Sequence, residues 1–170
     1  MDWLPNSDAV IYFCKEILPE IWLRNSNVKF YIVGRNPPEN ILNLSKVDKR
    51  IIITGLVNDV RPFIARSKIF VVPLRIGGGT RLKILEAMAM GKAVIATGLG
   101  AEGINCTHNE NILIEDEALK FAKATLELLE NETKRGALGA SARDLVCKNY
   151  DWKMISRKLL SICKELQIEK

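Results

Sequence analysis

Residues 73–91, PLRIGGGTRLKILEAMAMG, predict the end of a strand, a glycine turn and a helix. Residues 69–72, which come just before the turn, form the β-branched and aromatic run typical of a buried strand. Gly91 suits the left-handed position that follows a helix. Because turns from strand to helix bind phosphate in α/β proteins, this turn is the first candidate for a ligand site.

The composition of this turn favours an anionic ligand. The three glycines at 77–79 cost backbone entropy, so they fit a turn with positive φ or a close approach of a ligand. Thr80 is a candidate cap for the helix, whose first amides attract anions. Arg81 and Lys83 lie in the first turn, where each opposes the helix dipole by roughly 0.3–1 kcal/mol. A bound diphosphate would make both cations favourable.

Glu86 follows Lys83 by three residues, so both side chains project from one face of the predicted helix. One interpretation is a solvated ion pair, although Lys before Glu is the poorer order for such a pair. In the other interpretation, Lys83 faces phosphate and Glu86 accepts hydrogen bonds from sugar or ribose hydroxyls.

Two familiar phosphate motifs do not apply. The Walker pattern needs Gly-Lys-Ser/Thr at the end of a longer loop, and residues 77–83 lack it. Residues 98–103, GLGAEG, match G-x-G-x-x-G, but a dinucleotide site requires a helix next. Residues 104–109 lead instead to another predicted strand, so we predict a glycine loop and no NAD site.

Length and composition predict one globular domain, since the chain has 170 residues of which 48% are hydrophobic. It contains neither an apolar run of about 18 residues nor a signal-peptide pattern, so we expect a cytoplasmic domain. The 25 basic and 20 acidic residues suit anionic ligands or an acidic membrane surface. Without an arginine-rich tract or an aromatic RNA-binding signature, nucleic acid is not an expected partner.

The cysteines and the histidine do not predict a metal site or a nucleophile. Cys14, Cys106, Cys147 and Cys163 are far apart and form no CxxC pair, which argues against zinc and against a disulfide framework. His108 lies in a polar loop without a partner for catalysis nearby in sequence.

The alternation of segments predicts an α/β fold, a doubly wound parallel sheet with additional C-terminal helices. The predicted strands are 28–33, 50–54, 68–72, 93–97 and 111–114. We expect Ser7 to cap the start of the first helix. Pro19 should either kink this helix or lie in the first turn of a helix. Later helices are predicted at 39–46, 60–67, 115–131, 132–150 and 151–166. Since glycines follow most strands, their turns should converge at the carboxyl edge of the sheet.

The last predicted helix has an apolar stripe. Trp152, Ile155, Leu159, Ile162 and Leu166 recur at spacings of three and four. Such a stripe usually packs on its own domain, and the alternative is that it packs on a partner domain.

Several spaced segments together resemble the C-terminal half of group-1 glycosyltransferases of the GT-B fold. They are residues 1–6, 30–34, 54–60, 73–86 and 150–152, and they arrive in the order of that family over essentially the whole chain. The resemblance implies a nucleotide-sugar donor domain. It places the diphosphate on the central turn, the ribose on the helix glutamate, the base at the loop after the second strand and the sugar beside residues 98–103. The positions that match the diphosphate site are Gly78, Gly79, Thr80, Arg81, Leu82 and Lys83. Glu86 matches the ribose position, and Gly55 and Val57 match the base positions. Gly100 and Glu102 match positions beside the sugar.

The sequence departs from the family at two places. Gly78 stands where most members have a first glutamate, as in the GGGTRLKILEA variant. Residues 3–6, WLPN, replace the usual Arg/Lys pair. We therefore expect Arg81 and Lys83 to neutralise the diphosphate.

The resemblance implies retaining transfer of a hexose from a UDP- or GDP-sugar to a glycan or lipid-linked acceptor, without metal or cofactor. It also implies that residues 1–170 form one donor domain that lacks a first strand and an N-terminal acceptor domain, and that this chain alone is inactive. Peripheral membrane association of the full-length enzyme is a further expectation.

Two alternatives remain open. The chain could be a non-catalytic nucleotide-sugar-binding or interaction module. A receiver-like signalling domain shares the strand and helix alternation, but it should have clustered acidic residues where this chain has Gly34, Arg35 and Gly55.

Overall fold

Strands and helices alternate along most of the chain. The computed structural model describes Met1 and residues 3–168, with side chains up to residue 165. The strands are β1 (Phe30–Val33), β2 (Ile51–Gly55), β3 (Ile69–Val72), β4 (Ala93–Ala96) and β5 (Leu113–Ile114). The helices are α1 (Leu4–Tyr12), α2 (Leu18–Arg24), α3 (Glu39–Val47), α4 (Arg61–Arg66), α5 (Leu82–Ala89), α6 (Gly98–Ala101), α7 (Ala118–Glu130), α8 (Glu132–Asn149) and α9 (Trp152–Ile168). A π-helical segment, Phe13–Ile17, joins α1 to α2.

All described strand pairs are parallel, as predicted. β1 pairs with β2 from Phe30↔Ile51 onward, and β4 pairs with both β3 and β5. The ladders form two groups, β1-β2 and β3-β4-β5. Because the strands are parallel, the turns that follow them lie at carboxyl ends, where α/β proteins bind ligands.

Helices cover both faces of the sheet, which makes it doubly wound. Side chains alternate between faces along a strand, and β4 shows this clearly because all four of its residues are buried. Ala93 and Ile95 belong to a core with the π-helical segment, α2 and α7. Val94 and Ala96 belong to a second core with α5 and α8. The predicted α/β fold is confirmed.

The first helix begins earlier than predicted. α1 starts at Leu4 with Pro5 in its first turn, a position where proline's missing N–H costs nothing. Ser7 therefore lies inside the helix, where its Oγ donates to the carbonyl of Met1, and it is not the cap. Pro19 lies in the first turn of α2, after the π-helical segment, as one of the two predictions had it.

The central helix α5 ends as predicted and begins differently. Gly91 has φ +69°, and its N–H donates to Met88 O at 2.8 Å, while Lys92 N–H donates to Ala87 O at 3.0 Å. These two bonds form a Schellman motif. At the other end Arg81 precedes the helix without a side-chain cap, so the prediction that Thr80 caps it is wrong.

Two further predictions are corrected. One helical turn, α6, lies within the predicted glycine loop because Thr97 Oγ1 accepts from Gly100 N–H and caps it. The stripe of α9 does not pack on its own domain: Trp152 is 79% exposed and Leu159 is 60% exposed. The side chain of Leu166 lies outside the described residues.

Two glycines of α8 allow a test of the contact between this helix and the end of α5. A Cβ at Gly139 would lie 2.2 Å from Gly91 O, whereas a Cβ at Gly136 would meet nothing within 4 Å. We expect Gly139→Ala to destabilise the fold by about 1–3 kcal/mol through overpacking. Gly136→Ala should stabilise it by roughly 0.5–1 kcal/mol. Urea unfolding of both variants measures this, and equal effects at the two positions would contradict the packing.

Candidate functional site

The glycine turn between β3 and α5 is open to solvent along part of its length. Gly77 and Gly79 have φ values of +94° and +100°, which favour glycine. A Cβ at Gly77 would lie 2.5 Å from Pro5 Cγ, so the turn packs there against the start of α1. A Cβ at Gly78 or Gly79 would meet no atom within 4 Å. The second half of the turn therefore offers its main chain to a ligand.

Arg81 lies behind this turn. It is 4% exposed. Its Nη1 donates to Gly78 O at 3.0 Å, and its Nη2 donates to Gly77 O at 3.2 Å and to Leu99 O at 2.8 Å. Its buried Nε–H has no acceptor among the described residues. Because the N–H of a trans peptide points away from its C=O, holding the carbonyls of Gly77 and Gly78 turns the amides of Gly78 and Gly79 away from Arg81.

The first amides of α5 add to these donors. The earliest bonds of the helix run from Ile84 N–H and Leu85 N–H to Arg81 O, at 2.9 and 3.4 Å. None of the described residues accepts from the amides of Leu82 or Lys83. Unpaired amides at a helix start, together with the helix dipole, attract an anion.

Lys83 reaches across to α1, because its Nζ donates to Asn6 Oδ1 at 2.7 Å. Burial, and then the charge of Arg81, lower the pKa of Lys83 below its usual value. Lys83 does not pair with Glu86, so the solvated ion-pair interpretation is wrong. Glu86 is exposed and has no side-chain partner among the described residues. A partly buried cation and an exposed carboxylate thus lie one after the other along α5.

The turn at 98–103 packs directly against the glycine turn. Gly100 is buried, and a Cβ there would lie 2.5 Å from Val72 O. Its N–H donates to Thr97 Oγ1 at 2.9 Å, so its described contacts are structural. Glu102, whose side chain is 64% exposed, lies with Oε2 3.4 Å from Arg81 Nη2. The structure therefore brings Glu102 to the glycine turn.

Gly55 and Val57 lie at the end of β2 and just after it. Gly55 has φ +68° at the end of β2, and its carbonyl accepts from Gly34 N–H at 3.3 Å. Val57 is half-buried. Among the described residues, no hydrogen bond or ion pair links either one to residues 77–83.

Two residues that hold the site were not predicted from the sequence. Arg75 makes an ion pair with Asp8 at 2.6 Å and lies over the ring of Tyr12, with 4.3 Å from its guanidinium carbon to the ring centroid. Thr97 is buried and donates to Leu74 O while it accepts from Gly100. Sequence gives no signal for the first pair, whose members are 67 residues apart. A threonine directly after a strand and three residues before Gly100 is a recognisable capping signal for the second.

The described residues contain neither a metal-binding cluster nor a membrane-spanning helix. No group of three His, Cys, Asp or Glu side chains there is arranged to hold a metal ion. No helix in the same part of the chain has both the length and the apolar composition needed to cross a bilayer.

Comparison with known proteins identifies a family. The family described as glycosyl transferases group 1 matches residues 2–131. A GDP-mannose-dependent alpha-(1-6)-phosphatidylinositol monomannoside mannosyltransferase of Mycobacterium tuberculosis is 30% identical over 156 residues, covering 84% of this chain and 40% of that protein. An uncharacterized 44.6 kDa protein in the cps region of Klebsiella pneumoniae is 25% identical, covering 90% of this chain and 42% of that protein. The chain thus spans about two fifths of the length of these relatives.

Solved structures share the fold. A TarM mutant of S. aureus in complex with fondaparinux, alpha-GlcNAc-glycerol and UDP has a TM-score of 0.78 at 18% identity, covering 94% of this chain and 33% of TarM. HepE of Anabaena in complex with UDP has a TM-score of 0.77 at 16% identity, covering 88% of this chain and 44% of HepE. These likenesses confirm the α/β architecture expected of one half of a GT-B enzyme.

The two bonds of Thr97 provide a test of how the turns are held. Thr97→Val removes the hydroxyl and leaves Leu74 O and Gly100 N–H without their partner, so we expect a loss of about 1–3 kcal/mol. Thr97→Ser keeps the hydroxyl and should retain most of that stability. Denaturant unfolding of the two variants measures the difference. If the valine variant were as stable as the serine variant, the hydroxyl would not hold these turns together.

Proposed function

The chain belongs to the group 1 glycosyl transferases, and from this premise we propose that it is the donor-binding half of a retaining hexosyltransferase. The observation that supports this most is the open turn between β3 and α5. There the amides of Gly78 and Gly79 point away from Arg81, and those of Leu82 and Lys83 have no acceptor among the described residues. The ligand proposed for this turn is the diphosphate of a nucleotide sugar.

The diphosphate is bound by main-chain amides and by Lys83. Amides fixed before the ligand arrives stabilise the charge that develops on the leaving nucleotide without reorganising, which is a large term in catalysis. Lys83 is held near the turn by Asn6, and burial makes its charged form costly. An anion would compensate that cost. Arg81 has the role of holding the turn and adding positive potential from behind.

The rest of the donor follows from the neighbouring residues. The exposed Glu86 carboxylate, three residues after Lys83, accepts from the ribose hydroxyls. Gly55 and Val57, at the end of β2, contact the base through their main chain. Gly100 and Glu102 line the sugar side, where Glu102 is already near Arg81. No described side chain is arranged as a nucleophile, so the contribution of this half is to position the donor and stabilise the leaving group.

The nucleotide is UDP or GDP in this proposal, and no cofactor takes part. One relative is named as GDP-mannose-dependent, and two similar structures are described as complexes with UDP. The acceptor, a glycan or a lipid-linked sugar, would be bound by an N-terminal domain of the full-length chain. Peripheral membrane association belongs to that full-length protein. We propose that residues 1–170 alone bind donor and transfer little sugar.

Truncated ligands distinguish the roles of Lys83 and Glu86. Lys83→Gln should weaken both a UDP- or GDP-sugar and inorganic pyrophosphate by about 10–100-fold, because a charge-assisted hydrogen bond is worth roughly 1.5–3 kcal/mol. Glu86→Ala should weaken only the nucleotide sugar, since pyrophosphate has no ribose. Calorimetry measures each Kd. A thermal-shift screen of UDP-, GDP- and ADP-sugars selects the donor, because ligand at 100 times its Kd stabilises by about 2.7 kcal/mol.

Matched controls lie on α3 and α7, helices that contribute no residue to the proposed site. Lys46→Gln removes an exposed lysine of α3 whose Nζ also bonds to an asparagine, Asn43 Oδ1 at 2.8 Å. Glu130→Ala removes an exposed carboxylate at the end of α7. Neither should change the affinity for any ligand. Equal losses in Lys46→Gln and Lys83→Gln would contradict a specific phosphate contact, and a Glu86→Ala variant that lost pyrophosphate would contradict the ribose assignment.

A further inference from the structure

A pocket opens at the amino ends of β3 and β4, at the other end of these strands from the glycine turn. Its cavity of about 320 Å³ lies among residues 65–68 after the body of α4, residues 91–93 between α5 and β4, and the first turns of α8. Four of the lining side chains are cationic: Arg66, Lys68, Lys92 and Arg135. Glu132 supplies the single carboxylate among them. A pocket lined mainly by one sign of charge concentrates ions of the opposite sign.

The pairing of β3 with β4 places two of these cations side by side. Ile69 pairs with Ala93 where the two parallel strands begin. Lys68 and Lys92, the residues just before this pair, therefore occupy neighbouring positions at the edge of the sheet. Like charges at facing positions of adjacent strands are unfavourable, so strand pairing gives no reason for two lysines here.

Two of the cations are fixed in place by helix ends. Lys92 Nζ donates to Ala65 O at 2.6 Å and to Ser67 O at 2.9 Å, at the end of α4. Arg135 Nη1 donates to two carbonyls near the end of α7, at 2.8 and 3.2 Å. Burial, and then the charge of Arg135, lower the pKa of Lys92. The two cations are thus held close enough to repel each other.

The cations of the pocket have donors to spare. Arg135 Nη2 lies 3.8 Å from Glu132 Oε1, which is too far for a hydrogen bond, and the Glu132 side chain is 91% exposed. Arg66 and Lys68 are exposed, and neither makes a hydrogen bond or an ion pair with any described residue. Capping of helix ends therefore accounts for Lys92 and Arg135, and it does not account for the other two cations.

Gly136 leaves one side of the pocket clear. It lines the pocket from inside α8, where glycine is less favourable than alanine. A Cβ at this position would meet no atom within 4 Å, so packing does not require glycine. Gly139, one turn later, is different because a Cβ there would lie 2.2 Å from Gly91 O. The open position at Gly136 gives a ligand access to the main chain of the helix.

We propose that this pocket binds a phosphate group, carried either by a small soluble molecule or by a lipid headgroup. A phosphate monoester has a charge of about −1.5 to −2 at neutral pH and three strong acceptor oxygens. Two guanidinium forks and two ammonium groups match that charge and those oxygens. A carboxylate, with a single charge, would leave most of the cations uncompensated. None of the residues of this pocket belongs to the proposed donor site, so the inference does not depend on donor binding.

Amide NMR with inorganic phosphate tests the proposal. Phosphate added at constant ionic strength should shift the resonances of Ser67, Lys92 and Gly136 along one saturating curve, which gives a Kd. Resonances of the glycine turn report on the donor site separately. The double variant Arg66→Gln, Lys68→Gln should raise the Kd of the pocket at least about tenfold, because two charge-assisted contacts to phosphate are lost.

A matched double variant serves as the control. Arg24 lies in the last turn of α2 as Arg66 lies in the last turn of α4. Lys29 directly precedes β1 as Lys68 directly precedes β3. All four side chains are exposed, so we expect both double variants to fold. Arg24→Gln, Lys29→Gln should leave the Kd of the pocket unchanged.

A second pair of variants tests the charge of the pocket without removing a side chain. Gly136→Glu adds a carboxylate to the lining and should weaken phosphate at least about tenfold, because it competes for the same cations. Gly136→Gln has nearly the same shape without the charge and should change the Kd much less. Both replace a glycine of a helix interior with a better helix former, so the fold should be retained.

Vesicles distinguish the two sources of the phosphate group. If the ligand is a lipid headgroup, phosphatidylcholine vesicles that contain phosphatidic acid should sediment the unchanged chain and should not sediment the Arg66→Gln, Lys68→Gln variant. Vesicles of phosphatidylcholine alone should sediment neither. If these two residues make no difference to sedimentation, the phosphate that shifts the pocket resonances belongs to a soluble molecule.

Three results would overturn the proposal. One is an equal shift of the pocket resonances with sodium chloride at the same ionic strength, which would make the pocket a solvated basic surface. Another is the same Kd in the two double variants. The last is equal weakening by Gly136→Glu and Gly136→Gln, which would show that the charge of the pocket does not bind the ligand.

Discussion

The buried guanidinium of Arg81 determines the shape of the candidate site. Moving a cation out of water is costly unless its donors are satisfied. Here the carbonyls of Gly77, Gly78 and Leu99 accept from it, and Glu102 adds a contact at 3.4 Å. A planar group with five donors can reach all of these acceptors, and an ammonium on a flexible stem cannot. With the carbonyls held on one side, the amides of the turn face the other side, which is the arrangement that an anion needs.

The fold was largely predictable because its signals are local. Short β-branched runs alternate with helical periods, and Gly91 follows α5 in the predicted left-handed conformation. The errors arose where contacts distant in sequence replaced local ones. Thr80 does not cap α5, because Arg81 is the residue that precedes the helix. Arg81 is held there by carbonyls of the glycine turn and of residue 99. Ser7 became an internal helix residue because Pro5 favours an earlier start.

The candidate site was predicted in part. The sequence identified the open glycine turn, the position of Lys83 and the exposed carboxylate of Glu86. It could not show that Lys83 bonds to Asn6 or that Arg75 pairs with Asp8, since both contacts depend on how α1 packs against the turn. It also could not show that Arg81 lies behind the turn, since that depends on the contact with Leu99 and Glu102. The roles of Gly55 and Val57 rest on the family resemblance and on their place at the end of β2.

Two apolar surfaces distinguish this domain from a fully covered one. Residues of β1 and β3 line a groove in the described part of the chain, and α9 exposes Trp152, Ile155, Leu159 and Ile162. Because the apolar stripe of α9 is exposed, packing against a partner domain is the remaining interpretation of that stripe. The groove and the glycine turn share Lys83 and Glu86.

The central claim is that main-chain amides of the turn bind the diphosphate. Its most direct test is an amide NMR titration of the chain with the UDP- or GDP-sugar that gives the largest thermal shift. The account predicts that the amide resonances of Gly78, Gly79, Leu82 and Lys83 move most and saturate together. If those four stayed in place while resonances elsewhere moved, the turn would not be the diphosphate site.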